Sequence, residues 1–483
     1  MLTFLFLASS WMIASLMAIR VISRRLAVGT SLAWLFILFS LPFLGIAAYL
    51  LFGESNIGNK RLAKGQEIRK FYREFSSKHL PSSSQPPELL QNRLTHIAKV
   101  ASLKTGFYTQ DGNELTLLDS PDTIFDAVLA DIQMAKEYCL LEFYIVETSG
   151  RSEEVFEALC AATQRGVRCQ ILADAIGSSN FLKSDWAKKL QTSGVDVIGS
   201  LPVGVIKTFF KRNDLRNHRK IIVVDNLVAY TGSFNLVDPR FFKADAGVGE
   251  WVDIMVRCQG PVVRALSAVF YSDFAVESSK DICVKNMTYL ANKVKDIEHY
   301  GDIFTQVIPS GPDQHRTTII ETLVSAFYSA KEEIIITTPY FVPDDAIMLA
   351  LTNAVHRGVK VTIIVPEKVD SFLVHHAAAS FYEDLLESGV KIANFHGGLL
   401  HSKTVTIDDD FCFVGTVNMD IRSFYLNLEV TLAVYNEEFV RKMIALQKDY
   451  LQHSEPILLH DWKQRSPFKR FLENTIRLTS PFL

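Results

Sequence analysis

Two stretches of this chain obey one rule. HRKIIVVDNLVAYTGSFN at 218–235 and HSKTVTIDDDFCFVGTVN at 401–418 both fit H-x-K-x4-D-x6-G-[ST]-x-N. The fixed positions are His218, Lys220, Asp225, Gly232, Ser233 and Asn235, then His401, Lys403, Asp408, Gly415, Thr416 and Asn418. With each fixed residue at a chance frequency of roughly one in twenty, two such matches in one chain mean duplication. The flanks repeat as well. AKEYCLLEFYIV (135–146), QRGVRCQILAD (164–174) and LQTSGVDVIG (190–199) precede the first motif. AKEEIIITTPYFV (330–342), HRGVKVTIIVP (356–366) and LLESGVKIANF (385–395) precede the second in the same order. Continuous apolar strands alternating with helical patterns predict an α/β fold whose sheet is covered on both faces. The expected architecture is two copies of one α/β lobe, 105–295 and 296–483, about a pseudo-twofold axis that brings the two motifs to one cleft.

The motif itself has a chemistry. Along a strand, residues i and i+2 share a face, so His218 projects beside Lys220 and His401 beside Lys403. A nucleophile or proton carrier next to a fixed cation suits an anionic substrate. Phosphodiester transfer needs a nucleophile, a proton for the leaving alkoxide and cations for the phosphoryl oxygens, and two histidines with two lysines supply these without a metal. Asn235 and Asn418 add amide donors, and Ser233 and Thr416 add hydroxyls. Asp225 and Asp408 complete the signature and are counted with the catalytic set. Their odd spacing from the histidines nevertheless turns them to the opposite face, so ordering of the following turn is their expected work. Glu142, Tyr144 and Tyr340 lie where α/β sites form, at the ends of the first strands. His396 stands in a glycine loop, and the adjacent His375 and His376 read as rim or structural residues.

The remaining composition narrows the class. A net charge of −3 gives no basic field, so nucleic acid is not an expected partner. Six cysteines (Cys139, Cys160, Cys169, Cys258, Cys283, Cys412) show no C-x-x-C spacing and read as buried apolar residues. Neither a G-x-x-x-x-G-K-[ST] loop nor G-x-G-x-x-G occurs, so no nucleotide and no other cofactor is expected. The N-terminus differs in kind. Uncharged apolar runs at 1–19 and 31–52 are each long enough to cross a hydrocarbon core, which predicts a transmembrane hairpin over 1–53. Basic residues at 60–73 favour a cytoplasmic face for the lobes. They form part of a juxtamembrane segment and Ser/Pro linker over 54–104, whose HLPSSSQPPE (79–88) is a spacer. Apolar residues interleaved with cations at 203–220 and 467–478 suit the headgroup layer of anionic membrane lipids.

The paired H-x-K-x4-D motif resembles that of the phospholipase D superfamily. The two N-terminal runs, GVGEWVDIMV (247–256), PYFVP (339–343) and FHGGLLHSK (395–403) make the whole chain similar to the bacterial cardiolipin synthases within it. The resemblance implies a phosphohistidine intermediate, with His218 attacking phosphorus and His401 serving as acid and base. It also implies carboxylates that hold the imidazoles. Asp253 and Glu429 occupy that place, 35 and 28 residues after the histidines of their own lobes (218 to 253, 401 to 429). The implied reaction joins two phosphatidylglycerol molecules into cardiolipin plus glycerol at the bacterial inner membrane, without a nucleotide. Alternatives are a phospholipase D-type hydrolase, another phosphatidyltransferase such as a phosphatidylserine synthase, and a non-catalytic scaffold. Intact motifs argue against the last.

Overall fold

The computed structural model describes residues 2–24, 28–53, 92–202, 214–278, 299–314 and 317–480, with single positions between 63 and 70. The linker at 79–88, most of the basic segment before it, the stretch 203–213 and Cys283 lie outside the described residues. The chain divides into two compact units, Met1–Leu62 with Val203–Leu215, and the remainder.

In the first unit, helices α1 (Leu2–Ser23), α2 (Val28–Ser40) and α3 (Pro42–Ala48) pack through Val21, Trp34, Leu38 and Tyr49. The second apolar run is therefore two helices and a π turn at Tyr49–Gly53 rather than one span. Pro42 has no N–H to continue the ladder, and its ring clashes with the preceding turn, so the helix ends at Ser40. With 13 residues, α2 is about 20 Å long. No helix among the described residues is long and apolar enough to cross a membrane.

The second unit is built on one sheet of fifteen strands. In chain order these are β1 (Gln110–Leu118), β2 (Tyr138–Phe143), β3 (Arg168–Asp174), β4 (Asp196–Ser200), β5 (Ile221–Val224), β6 (Val228–Gly232), β7 (Met255–Gln259), β8 (Ile303–Ser310), β9 (Glu333–Thr337), β10 (Lys360–Pro366), β11 (Lys391–Phe395), β12 (Thr404–Ile407), β13 (Phe411–Gly415), β14 (Glu429–Tyr435) and β15 (Ser454–Pro456). Their spatial order is β15-β11-β10-β9-β12-β13-β14-β8-β1-β7-β6-β5-β2-β3-β4. Apart from β15, the order reads the same outward from the central β1–β8 pair. Each half is a copy of the α/β lobe, and the antiparallel pairing of Gln110 with Thr305 joins the copies edge to edge. The strands of the motifs, β5, β6, β12 and β13, are buried throughout, as suits strands without a charged residue in a sheet covered on both faces.

The signature aspartates do their work at the far end of these strands. Asp225 and Asn226, both with positive φ, are the central residues of the tight turn between β5 and β6. The three-residue connection 225–227 is closed by the Leu227 amide on the Val224 carbonyl at 3.0 Å, and Asp and Asn tolerate the left-handed backbones it needs. The Asp225 carboxylate accepts the amides of Lys136, Glu137 and Tyr138 at 2.7, 2.8 and 2.8 Å. Asp408 accepts those of Lys331, Glu332 and Glu333 in the same way. Each carboxylate thus anchors the start of β2 or β9 to its hairpin. Asp225→Ala should cost about 2 kcal/mol of stability and lower the thermal midpoint; an unchanged melting curve would show that the three bonds contribute nothing.

Candidate active site

Just ahead of each H-x-K pair the chain leaves its own lobe and runs beside the other. Leu399 and Leu400 pair in parallel with Trp251 and Val252. The amides of His401 and Ser402 then donate to the Val252 carbonyl at 2.9 and 3.0 Å. In the mirror arrangement Asn217 bridges to Leu428, and the His218 amide donates to the Leu428 carbonyl at 2.9 Å. The residue after each of those carbonyls is a carboxylate. His218 Nδ1 stands 2.9 Å from Glu429 Oε2, and His401 Nδ1 stands 2.7 Å from Asp253 Oδ1. Both carboxylates hold imidazoles, and the partners are exchanged across the interface. The exchange follows from the two crossing segments, which bring each histidine to the opposite lobe's strand end.

The carboxylates are themselves held. Thr416 Oγ1 and Asn427 Nδ2 donate to Glu429. The Thr416 and Ser233 hydroxyls also accept the amides of Val430 and Ile254, at 2.9 and 3.0 Å. This close approach explains the motif glycines. A Cβ on Gly232 would lie 2.4 Å from the Ile254 carbonyl oxygen, and one on Gly415 would lie 2.4 Å from that of Val430. Any larger residue would push the hydroxyl away from its carboxylate.

The electrostatics of the core are set by burial. Burial pushes the imidazoles of His218 and His401 down to about 4. It pushes Lys220 down to about 8 and Lys403 to about 7, against the pull of Glu429 and Asp253. Burial would raise the two carboxyls, but the adjacent His and Lys outweigh it and hold both below their ordinary values. An ionised carboxylate can only accept, so each histidine is neutral with its proton on Nδ1. That leaves Nε2 of each ring with a free lone pair. Lys220 and Lys403 donate to the carbonyls of His218 and His401. Each lysine also depresses the histidine of the other lobe, so the four groups act as one cluster.

One cavity of about 280 Å³ has both His218 and His401 in its lining, together with Asn235 and Asn418. Tyr144 lies against His218 at 5.0 Å and Trp251 against His401 at 4.2 Å. Tyr340 completes that wall and donates to Asp370 at 2.7 Å. Other sequence candidates are elsewhere. Asp225 and Asp408 sit at the opposite strand ends, tied to backbone amides. Glu142 is fully buried, receives Asn217 Nδ2 at 2.6 Å and is held well above the ordinary carboxyl range by burial. His375 and His376 lie on helix Phe372–Ser388, where His376 stacks on Phe372 at 4.1 Å. His396 faces Glu367 at 3.1 Å. Motif reasoning missed Arg216, Lys243, Asp370, Asp420 and Arg422, all cavity residues. Arg216 could have been found two residues before His218; Lys243 and Asp370 are on connections, and Asp420 and Arg422 are the cap and first turn of the short helix Ile421–Tyr425.

Comparison with known proteins agrees with this duplicated site. A family model described as cardiolipin synthase, PLD-like domain, matches residues 128–251 and 323–449, one motif in each. Cardiolipin synthase A of Erwinia tasmaniensis is 38% identical over 477 residues, 98% of this chain and 97% of the relative. The chain belongs to the PLD-like cardiolipin synthase family. Another family relative, cardiolipin synthase A of Wigglesworthia glossinidia brevipalpis, is 38% identical over 98% of this chain and 95% of its own. This cardiolipin synthase family member also matches a second model, phospholipase D-nuclease N-terminal, over residues 12–54. The solved phosphatidylserine synthase of Haemophilus influenzae Rd KW20 shares its fold, with a TM-score of 0.56 at 13% identity over 76% of this chain and 95% of that one.

Proposed function

We propose that the chain is a membrane phosphatidyltransferase that condenses two phosphatidylglycerol molecules into cardiolipin and glycerol. The observation that carries this reading is the pair of neutral histidines, one from each lobe, lining one cavity. His218 attacks the phosphorus of the first lipid through Nε2. Its Nδ1 proton, held by Glu429, offsets the charge that develops on the ring. His401, oriented by Asp253, protonates the departing glycerol oxygen and then takes the proton of the incoming hydroxyl. An anionic phosphodiester in the cavity counteracts the burial that depresses His401, so the substrate itself favours the protonated acid. Lys220 and Lys403 balance charge on the non-bridging oxygens, with Asn235 and Asn418 as amide donors.

The membrane part of the reading is supported by two features. The N-terminal helices are the proposed anchor, with α2 and α3 together forming its second limb. Helix Pro467–Arg477 packs on helix Phe372–Ser388 through Leu472 and Ile476, which leaves Phe468 and Phe471 exposed. Exposed Phe372 and Leu373 adjoin the cavity residues Asp370, Ser371 and Val374. An apolar rim beside the cavity lets acyl chains stay in the bilayer while the headgroup enters.

Purified enzyme given phosphatidylglycerol vesicles alone should release glycerol and cardiolipin in equal amounts. Phosphatidic acid as the main product would make it a hydrolase instead. The lysine values also predict the alkaline limb. Each lysine works as a cation, present below its pKa and lost as pH rises through it. kcat/KM, which reports free enzyme, should therefore fall from about pH 7 to 8 upward. Lys403→Arg should move that limb upward even where the rate is reduced; a limb that stays in place would remove the lysine from the reaction.

A further inference from the structure

The two motif histidines match, but the side chains packed behind them do not. Behind His401 they are neutral. Leu400 lies in an apolar cluster with Ile335, Ile364 and Phe395, and the Ser402 hydroxyl donates to Tyr450 at 3.4 Å. Thr337, paired opposite Thr404, takes the place that Glu142 holds opposite Ile221 in the first lobe. Gln447 reaches that place from helix Glu437–Gln452, its Nε2 2.9 Å from Thr404 Oγ1 and 3.4 Å from Thr337 Oγ1.

Behind His218 the same positions carry Asn217, Arg219 and Glu142, all buried, and Asp273 comes in from helix Val262–Glu277. The Arg219 guanidinium donates to the Asp273 carboxylate, through Nε to the Glu429 carbonyl at 2.9 Å, and to the Ser310 carbonyl at 3.3 Å. Asp313 is a second counter-charge, 3.9 Å away. Asn217 Oδ1 accepts the Arg219 amide at 3.2 Å, and its Nδ2 donates to Glu142 at 2.6 Å. Glu142 is the neutral acid of the group: burial, then the Asp273 charge, raises its carboxyl, which hydrogen bonds to Asp273.

Arg219 follows His218 in the chain and grips the backbone of Glu429, whose carboxylate receives His218 Nδ1. One rigid, planar guanidinium therefore ties together the two halves of that dyad, which come from different lobes. In the other dyad the equivalent residue, Ser402, turns its hydroxyl to Tyr450 instead. The difference fits two different tasks. A nucleophilic ring must keep one place while phosphorus is bonded and released, whereas an acid and base must serve a departing and an incoming oxygen. We propose that Arg219, seated on Asp273, is a positioning residue that fixes Glu429 against His218 for attack on phosphorus. This rests on the reading of His218 as the nucleophile of a phosphatidyltransferase.

The test reads the attack alone, with full-length enzyme and a phosphatidyl ester of p-nitrophenol. His218 Nε2 bonds to phosphorus, the bond to the phenolic oxygen breaks, and p-nitrophenolate leaves with the electron pair as a burst. Misfolding and misplacement then separate: fewer folded molecules shrink the burst, while a displaced dyad slows it. Arg219→Lys keeps a cation beside Asp273 but loses the fork that also reaches Glu429. Its burst should keep full amplitude and half-saturate at the same ester concentration, with a rate constant at least tenfold lower. Arg219→Gln combined with Asp273→Asn removes the bonded charges together, so that neither is left buried alone, and should slow the burst at least as much. A normal burst rate constant in either variant, at whatever amplitude, overturns the positioning role. No burst from the unsubstituted enzyme, or a burst that persists in His218→Ala, overturns instead the reading of His218 as nucleophile.

Discussion

His218→Ala and His401→Ala should each lower cardiolipin formation from phosphatidylglycerol by roughly 10⁴-fold or more. The two rings line one cavity and each supplies something the other does not: one bonds to phosphorus, the other moves a proton. Neither lysine replaces them, since both ammonium groups are turned to the histidine carbonyls. Mixing the two alanine variants should restore nothing, because both lobes of the cavity come from one chain. Near-normal rate in either variant removes the two-histidine mechanism. Recovery on mixing would mean that the working site assembles between chains.

The exchanged carboxylates give the second large effect. Glu429→Gln and Asp253→Asn keep shape while replacing an acceptor-only group by one that also donates, so the Nδ1 proton is no longer enforced. The ring is then free to place its proton on Nε2, where the lone pair is needed, and a loss of about 10² to 10⁴-fold is expected. A phosphatidyl ester of p-nitrophenol, whose leaving group needs no proton, separates the two roles. His401→Ala should still give a burst of p-nitrophenol, and so should Asp253→Asn. His218→Ala and Glu429→Gln should not. Grouping of Asp253→Asn with His218→Ala would mean that each carboxylate holds the histidine of its own lobe.

That exchange marks the boundary of what the chain's order reveals. Equal spacing from His218 to Asn235 and from His401 to Asn418 makes the duplication and its strands legible, because buried strands must keep an apolar period. The carboxylates Asp253 and Glu429 are also found, through the family resemblance. Their partners are not. Pairing across the interface depends on Leu399 and Leu400 lying beside Trp251 and Val252, a contact that no local pattern encodes. The same holds for Arg422, in the helix Ile421–Tyr425, and for Asp370, which reach the cavity from outside the motifs. The break in the second N-terminal run was written in Pro42, but apolar length outweighed it in the reading of a single span.

Stereochemistry at phosphorus offers the sharpest check that one histidine takes the phosphatidyl group while its counterpart from the other lobe works opposite it. Phosphatidylglycerol made chiral with oxygen isotopes should yield cardiolipin with retained configuration, the product of two in-line displacements. Inversion would mean a single direct attack, with no phosphatidyl-histidine between the lobes.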